Sequence, residues 1–154
     1  MKLNNLHIGI IAAVTLLTVL LFFVRTKPNL ELARQEASVE TQIDSAIAMV
    51  NGGSPMEGIF LLRDLSEEHP GNMRIQLNLG MFAVQSGQLD KAETRFNTVL
   101  EDNPNQAEAL YFMGYIESQK GNNTKAVEYL EKALENASDE NLKSEIQQFI
   151  NELK

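Results

Sequence analysis

Leu77-Asn78-Leu79-Gly80-Met81-Phe82-Ala83, followed by Gly87, Ala92, Phe96, Val99 and Pro104, is the stretch that decides the fold. Its residues recur at a fixed step of 34. Gly80 has Gly114 ahead of it and Ala46 behind it; Ala92 has Ala126 and Gly58. Gly87 stands between Gly121 and Gly53, Phe96 between Leu130 and Leu62, and Val99 between Ala133 and Leu65. Pro104 repeats Pro70. Columns held in register over three periods mark a chain built from one supersecondary unit that cannot bury its apolar face alone and stacks on its own copies.

Within each unit the spacing predicts two antiparallel helices. Small residues stand where the helices cross: Ala46 with Gly58, Gly80 with Ala92, Gly114 with Ala126. Side chains this small let two helix axes approach closely, and larger neighbours such as Leu79 with Phe96, or Met113 with Leu130, fill the flanking space. Gly53, Gly87 and Gly121 fall where the first helix stops and the chain turns. Ser54-Pro55-Met56-Glu57 reads as an N-cap, a Pro at the first helical position and a capping-box Glu, and Asn105 with Glu108 repeats the device. Pro70 and Pro104 end the second helices.

Working outward, Leu142, Ile146, Phe149, Ile150 and Leu153 form an apolar stripe at helical spacing, so residues 141–154 read as a cap helix with Glu145, Gln148 and Glu152 facing water. On the other side a long helix is expected from about Asn29 to Val50. These residues carry a resemblance to the tetratricopeptide repeat family, covering roughly Val39 to Glu140. The resemblance implies an all-α fold: a right-handed superhelical array of three antiparallel hairpins. The units are 39–72 (degenerate), 73–106 and 107–140. The family usually has a large packing residue where Glu117 stands, and this departure implies a looser third hairpin.

The N-terminus is of another kind. Between Ile8 and Val24 there is no charge, and 12 of the 17 residues are Leu, Ile, Val or Phe. At about −0.3 to −0.6 kcal/mol each, these contribute roughly −4 to −7 kcal/mol to membrane insertion. As a helix the segment spans about 26 Å, near the lower limit for a bilayer. A cleaved signal peptide is the rival reading. However, the stretch is longer than the usual apolar core and ends in Phe22-Phe23-Val24-Arg25-Thr26-Lys27, which offers no small-x-small cleavage site. The expectation is a short tail (1–7), an uncleaved single-pass anchor (8–24) and a helical juxtamembrane linker (25–38), as in repeat proteins of bacterial envelopes, with the inner membrane as the expected location. Gly9 and Ala13 form one small-xxx-small pair. Arg25, Lys27 and Arg34 favour a cytoplasmic C-terminal domain, whereas the short N-terminal tail matches signal anchors that export the domain behind them; the side stays open.

Charge and composition bound the function. From Val39 to Lys154 there are 19 Asp/Glu against 9 Lys/Arg. Such a surface repels nucleic acid and anionic membrane faces. With no cysteine there is no disulfide, thiol nucleophile or Cys-based metal site. Glu67-Glu68 and Asp139-Glu140 read as solvated loop acids, not a metal site. His69, before Pro70, suits the end of a helix dipole. No phosphate loop, nucleophile triad or catalytic carboxylate pair is present. An enzyme is not expected, nor a cofactor or metal.

The resemblance implies that the first helix of each hairpin lines a concave groove. Carried over by position, that set is Glu40, Ile43, Ile47 and Val50; Arg74, Leu77, Met81 and Val84; and Glu108, Tyr111, Tyr115 and Ser118. The residues expected to bind a partner are Ile43, Ile47, Arg74, Leu77, Met81, Glu108, Tyr111 and Tyr115. The opposite, packing face is expected to hold Gln42, Ala46 and Met49, or Leu79 and Ala83. A groove with this much apolar content suits a helix or an extended segment of a protein partner, with Tyr rings and Met81 as anchors; burial within the array competes for the same residues, evenly at Ile43 and Ile47. One subclass of the family clamps a C-terminal carboxylate with Lys, Asn and Arg. Here Asn78 keeps one such place, but Ile43, Ile47, Glu108 and Phe112 stand at the others, which argues against that activity. The expected function is a membrane-anchored adaptor in the assembly or maturation of a membrane-associated complex. The alternative is a homo-oligomer in which the groove or the convex face pairs between copies.

Overall fold

The computed structural model describes residue 18 and residues 30–154, with side chains from residue 35 onward. Apart from Thr18, the expected membrane span 8–24 lies outside the described residues. Among the described residues no helix is long and apolar enough to cross a membrane. The chain divides into two units, residues 1–40 and 41–154, and the second holds the hairpins and the surfaces they form.

The described residues form seven helices and no strand: α1 (Leu30–Asn51), α2 (Pro55–Glu68), α3 (Met73–Gln85), α4 (Leu89–Asp102), α5 (Ala107–Gln119), α6 (Asn123–Asn136) and α7 (Glu140–Leu153). They alternate as the 34-residue period predicts, and the helix expected over Asn29–Val50 runs Leu30–Asn51.

The turn glycines stop the first helices as their spacing predicts. Gly53, Gly87 and Gly121 have φ of 107°, 71° and 80°, a left-handed conformation that side chains with a Cβ seldom adopt. At Gly87 the amide donates to Val84 O (2.9 Å) and the Gln88 amide to Ala83 O (2.8 Å), the paired bonds that close a helix end. Gly121 and Asn122 repeat these bonds to Ser118 O and Glu117 O, each at 2.9 Å.

The crossing points are equally tight. A Cβ on Gly58 would lie 2.4 Å from Ala46 O, one on Gly80 2.6 Å from the Phe96 ring, and one on Gly114 2.7 Å from Leu130 Cγ. Around these contacts lie Leu62, Ala92, Phe96, Val99, Met113, Ala126, Leu130 and Ala133, all at or below 2% exposure. Phe96 stacks flat on Phe112, centroids 5.1 Å apart.

Helix starts depart from expectation. Pro55 occupies the first turn of α2, but the Ser54 hydroxyl makes no capping bond; its carbonyl accepts the first intrahelical bond, from Gly58 N at 3.2 Å. At α5 the N-cap is Gln106, one residue beyond the expected Asn105, and it too makes no side-chain cap. True side-chain caps occur at Asn72, accepting from Ile75 N (3.1 Å), and at Asp139, accepting from Leu142 N (2.9 Å). Asp139 is therefore a structural cap rather than a merely solvated acid. His69 ends α2, its amide donating to Leu65 O at 2.8 Å.

Glu117, read as a departure in the third hairpin, is held inside it. It is 1% exposed, and its carboxylate accepts from Lys125 Nζ and Asn122 Nδ2, both at 2.8 Å. These bonds hold its carboxyl below the usual glutamate range, the Lys125 bond most of all. The same bond raises the Lys125 ammonium above the ordinary lysine value. Both carboxylate oxygens of this buried acid are thus satisfied.

Candidate functional site

The eight residues expected to bind a partner do not form one open surface. Ile43 is fully buried, and Ile47 is half-buried. The Ala46 carbonyl and the Val50 side chain stand against Gly58 of α2, so Ile43, Ala46 and Val50, at helical spacing, share the packed side of α1. Gln42 and Met49, expected to pack, are exposed instead. Their equivalents one period later, Gln76 and Ala83, are buried and half-buried. The reason is positional: Gln76 reaches back to Ser66 and Pro70 of the preceding hairpin, and the described residues hold no hairpin before the first.

On α3, Arg74 is exposed and paired with Asp44 of α1. Leu77, Met81 and Val84 are partly exposed along one face and pack inward on the cluster of Phe96, Met113 and Ile116. On α5, Glu108 is exposed and its carboxylate accepts from Gln106 Nε2 at 2.6 Å. Tyr115 and Ser118 are partly buried.

Helix α7 takes up the third part of the expected groove. The Tyr111 hydroxyl donates to Glu145 at 2.6 Å, and the Phe149 ring lies 6.2 Å from Tyr111 and 6.3 Å from Tyr115. Burial raises the Tyr111 phenol above the usual tyrosine range, and the bond to the Glu145 carboxylate adds to the rise. Glu145 faces water as expected, yet it also fixes the ring expected to anchor a partner. The continuous part of the expected surface is thus Leu77, Met81 and Val84, with Tyr115 beside them.

A second depression lies outside the expected groove. A cavity of about 430 Å³ opens between α2, α3 and the start of α4. Met56, Ile59, Phe60 and Arg63 form its α2 wall, Leu79 and Phe82 its floor, and Lys91 and Arg95 its far rim. Met56 is 58% and Phe60 50% exposed. The sequence does carry a signal for it: Met56, Ile59, Phe60 and Arg63 stand at helical spacing on the face of α2 opposite the packing residues Gly58, Leu62 and Leu65. Arg95 also ties the array together, its guanidinium donating to Ser66 Oγ (2.9 Å) and Gln76 Oε1 (2.8 Å).

Comparison with known proteins fits this geometry. The tetratricopeptide repeat model matches residues 77–141. Among solved structures, YrrB, described as a TPR protein with an unusual peptide-binding site, is similar at 25% identity and a TM-score of 0.60, over 71% of this chain and 57% of its own. MamA MSR-1 C2 is similar at 24% identity and a TM-score of 0.61, over 75% of this chain and 64% of its own. A tetratricopeptide repeat protein from Parabacteroides merdae is similar at 22% identity and a TM-score of 0.63, over 75% of this chain and 45% of its own. No curated protein matches the chain. The fold is that of the tetratricopeptide repeats.

This chain thus spans less than two thirds of each of these three structures. The tetratricopeptide match begins at Leu77 and leaves out the first hairpin, the one with Gln42 and Met49 exposed. At the place where some tetratricopeptide grooves hold a carboxylate-binding Asn, the Asn78 amide donates to Arg74 O within its own helix (2.8 Å). Among the described residues no group of three His, Cys, Asp or Glu side chains is placed to hold a metal ion. Tetratricopeptide repeats are in general binding scaffolds, and the surfaces described here are apolar and hydrogen-bonding in character.

Proposed function

We propose that this protein is a membrane-anchored interaction scaffold that holds a helix or extended segment of a partner protein against the α3 surface. The observation that carries the reading is the run of partly exposed apolar side chains Leu77, Met81 and Val84 along one face of α3, flanked by Tyr115. A solvated helix face would be polar, and here Met supplies the adaptable side chain that peptide-binding surfaces favour. The likeness to YrrB, described by its peptide-binding site, supports the same class of ligand.

The uncharged run Ile8–Val24 supports a single-pass anchor, which we propose lies in a bacterial inner membrane, and such a tether suits assembly or maturation of a membrane-associated complex. Anchoring raises the local concentration of array and partner in one plane, so that a modest groove suffices. Protease digestion of intact and permeabilised cells assigns the face on which the array stands.

The test is recovery of the partner by pull-down from membranes with the full chain and with Met81→Lys. Met81→Lys should reduce recovery strongly while circular dichroism shows unchanged helicity. Undiminished recovery with Met81→Lys, or with Met81→Lys combined with Tyr115→Ala, removes the α3 surface as the docking site.

A further inference from the structure

The depression between α2, α3 and α4 has an unusual electrostatic character for this protein. Residues 41–154 carry nine Lys and Arg in a strongly acidic domain. Five of them are in ion pairs: Arg74 with Asp44, Lys120 with Glu93, Lys125 with Glu117, Lys143 with Glu140 and Lys154 with Glu131. Among the described residues, the four without a carboxylate partner are Arg63, Lys91, Arg95 and Lys132. Three of these four line the depression, and no Asp or Glu does. Lys91 donates to Gln88 (2.6 Å), and Arg95 spends one amino group on Ser66 and Gln76, so both keep donors for a ligand.

We propose that this depression docks an acidic segment of a partner protein, one that places a large apolar side chain among Met56, Phe60 and Phe82 and sets carboxylates against Arg63 and Lys91. A wall that exposes half of a Phe ring and more than half of a Met leaves apolar area that only an apolar group can cover. The cations fix the sign of what lies beside it. Among the described residues Arg63, Lys91 and Arg95 have no carboxylate beside them, so a partner can supply one, and charge-assisted bonds to Arg are stronger than neutral ones. The volume, about 430 Å³, falls in the range of sites that hold a few side chains, which suits a short linear segment. Three cations in a domain of strong net negative charge cannot hold a polynucleotide, whose affinity rests on many phosphate contacts. This docking surface is separate from Leu77 and Met81 and stands or falls apart from the proposed role of α3.

The test uses the full chain in nanodiscs of phosphatidylcholine. The probe is a short fluorescein-labelled peptide alternating Glu with Phe and Leu, read by anisotropy against its counterpart with Lys in place of Glu. The Glu peptide should bind at least about tenfold tighter than the Lys peptide, and added salt should weaken it. Arg63→Glu with Lys91→Glu should weaken binding about tenfold or more, and Phe60→Ser should weaken it as well, all at exposed positions that leave the fold intact. Met81→Lys should leave it unchanged. Equal binding of the two peptides, indifference to the charge reversals, or loss on Met81→Lys instead would overturn the proposal. So would failure of either peptide to bind, and so would binding only to phosphatidylserine vesicles, which would make the depression a lipid surface.

Discussion

Replacing Glu117 by Gln removes one negative charge from the best-shielded acid of the array while keeping its shape. The side chain is 2% exposed, whereas that of Lys125 is 54% exposed. The freed ammonium can therefore return to water, and the loss falls well short of the 3–5 kcal/mol that results when a buried charge is stranded. Asn122 keeps an acceptor in the new amide oxygen. What disappears is the Lys125 bond, whose solvent-exposed ammonium contributes little, and the charge assistance in the Asn122 bond, about 1 kcal/mol. Urea unfolding followed by circular dichroism, on the full chain in micelles, measures it. The pH dependence is the sharper readout. Because the folded protein holds the Glu117 carboxyl below its ordinary value, its contribution is complete above the unfolded value, near about pH 4.3, and is lost as pH falls through the folded one. The wild type should exceed Glu117→Gln by the same margin at about pH 7 and pH 6, and the margin should shrink below about pH 4.5. Equal stabilities at neutral pH, or a margin unchanged down to about pH 3, would refute the reasoning.

Gly80→Ala sets a methyl against the Phe96 ring, which cannot retreat because Phe96 is stacked on Phe112, so a loss of about 1–3 kcal/mol should outweigh the helix-propensity gain of Ala and show as a lower urea midpoint. Asp139→Ala removes the cap of α7, and hydrogen exchange should show faster opening of α7 by about 0.5–2 kcal/mol with α3 and α4 unaffected. Spectrophotometric titration should find a tyrosine transition above the usual tyrosine range, and Tyr111→Phe should abolish it.

Whether a feature is legible in the sequence depends on where its partners lie. The turn glycines and the small residues at the crossings are readable because their constraint is local to one hairpin and recurs every 34 residues. The side of α1 that packs is not, because Gln42 and Met49 share a helical register with residues buried in later hairpins, and burial there needs a preceding hairpin. Tyr111 reads as a free anchor because its partner Glu145 belongs to the cap, whose seat on α5 no spacing within the repeats reports. Glu117 reads as a defect because its two partners lie across the turn, Asn122 at the N-cap of α6 and Lys125 within that helix. The depression beside Phe60 stays hidden because the sequence does not reveal which cations pair elsewhere. That becomes visible only when Arg74, Lys120, Lys125, Lys143 and Lys154 are each found beside an acid.

The most direct measurement is photocrosslinking in native membranes with a benzophenone amino acid placed at Met81 and, as the control, at Glu128 on the exposed face of α6. The account predicts an adduct with a partner protein from Met81 and none from Glu128. Adducts from Glu128 alone, or equal labelling from both positions, would contradict a partner held on the α3 surface.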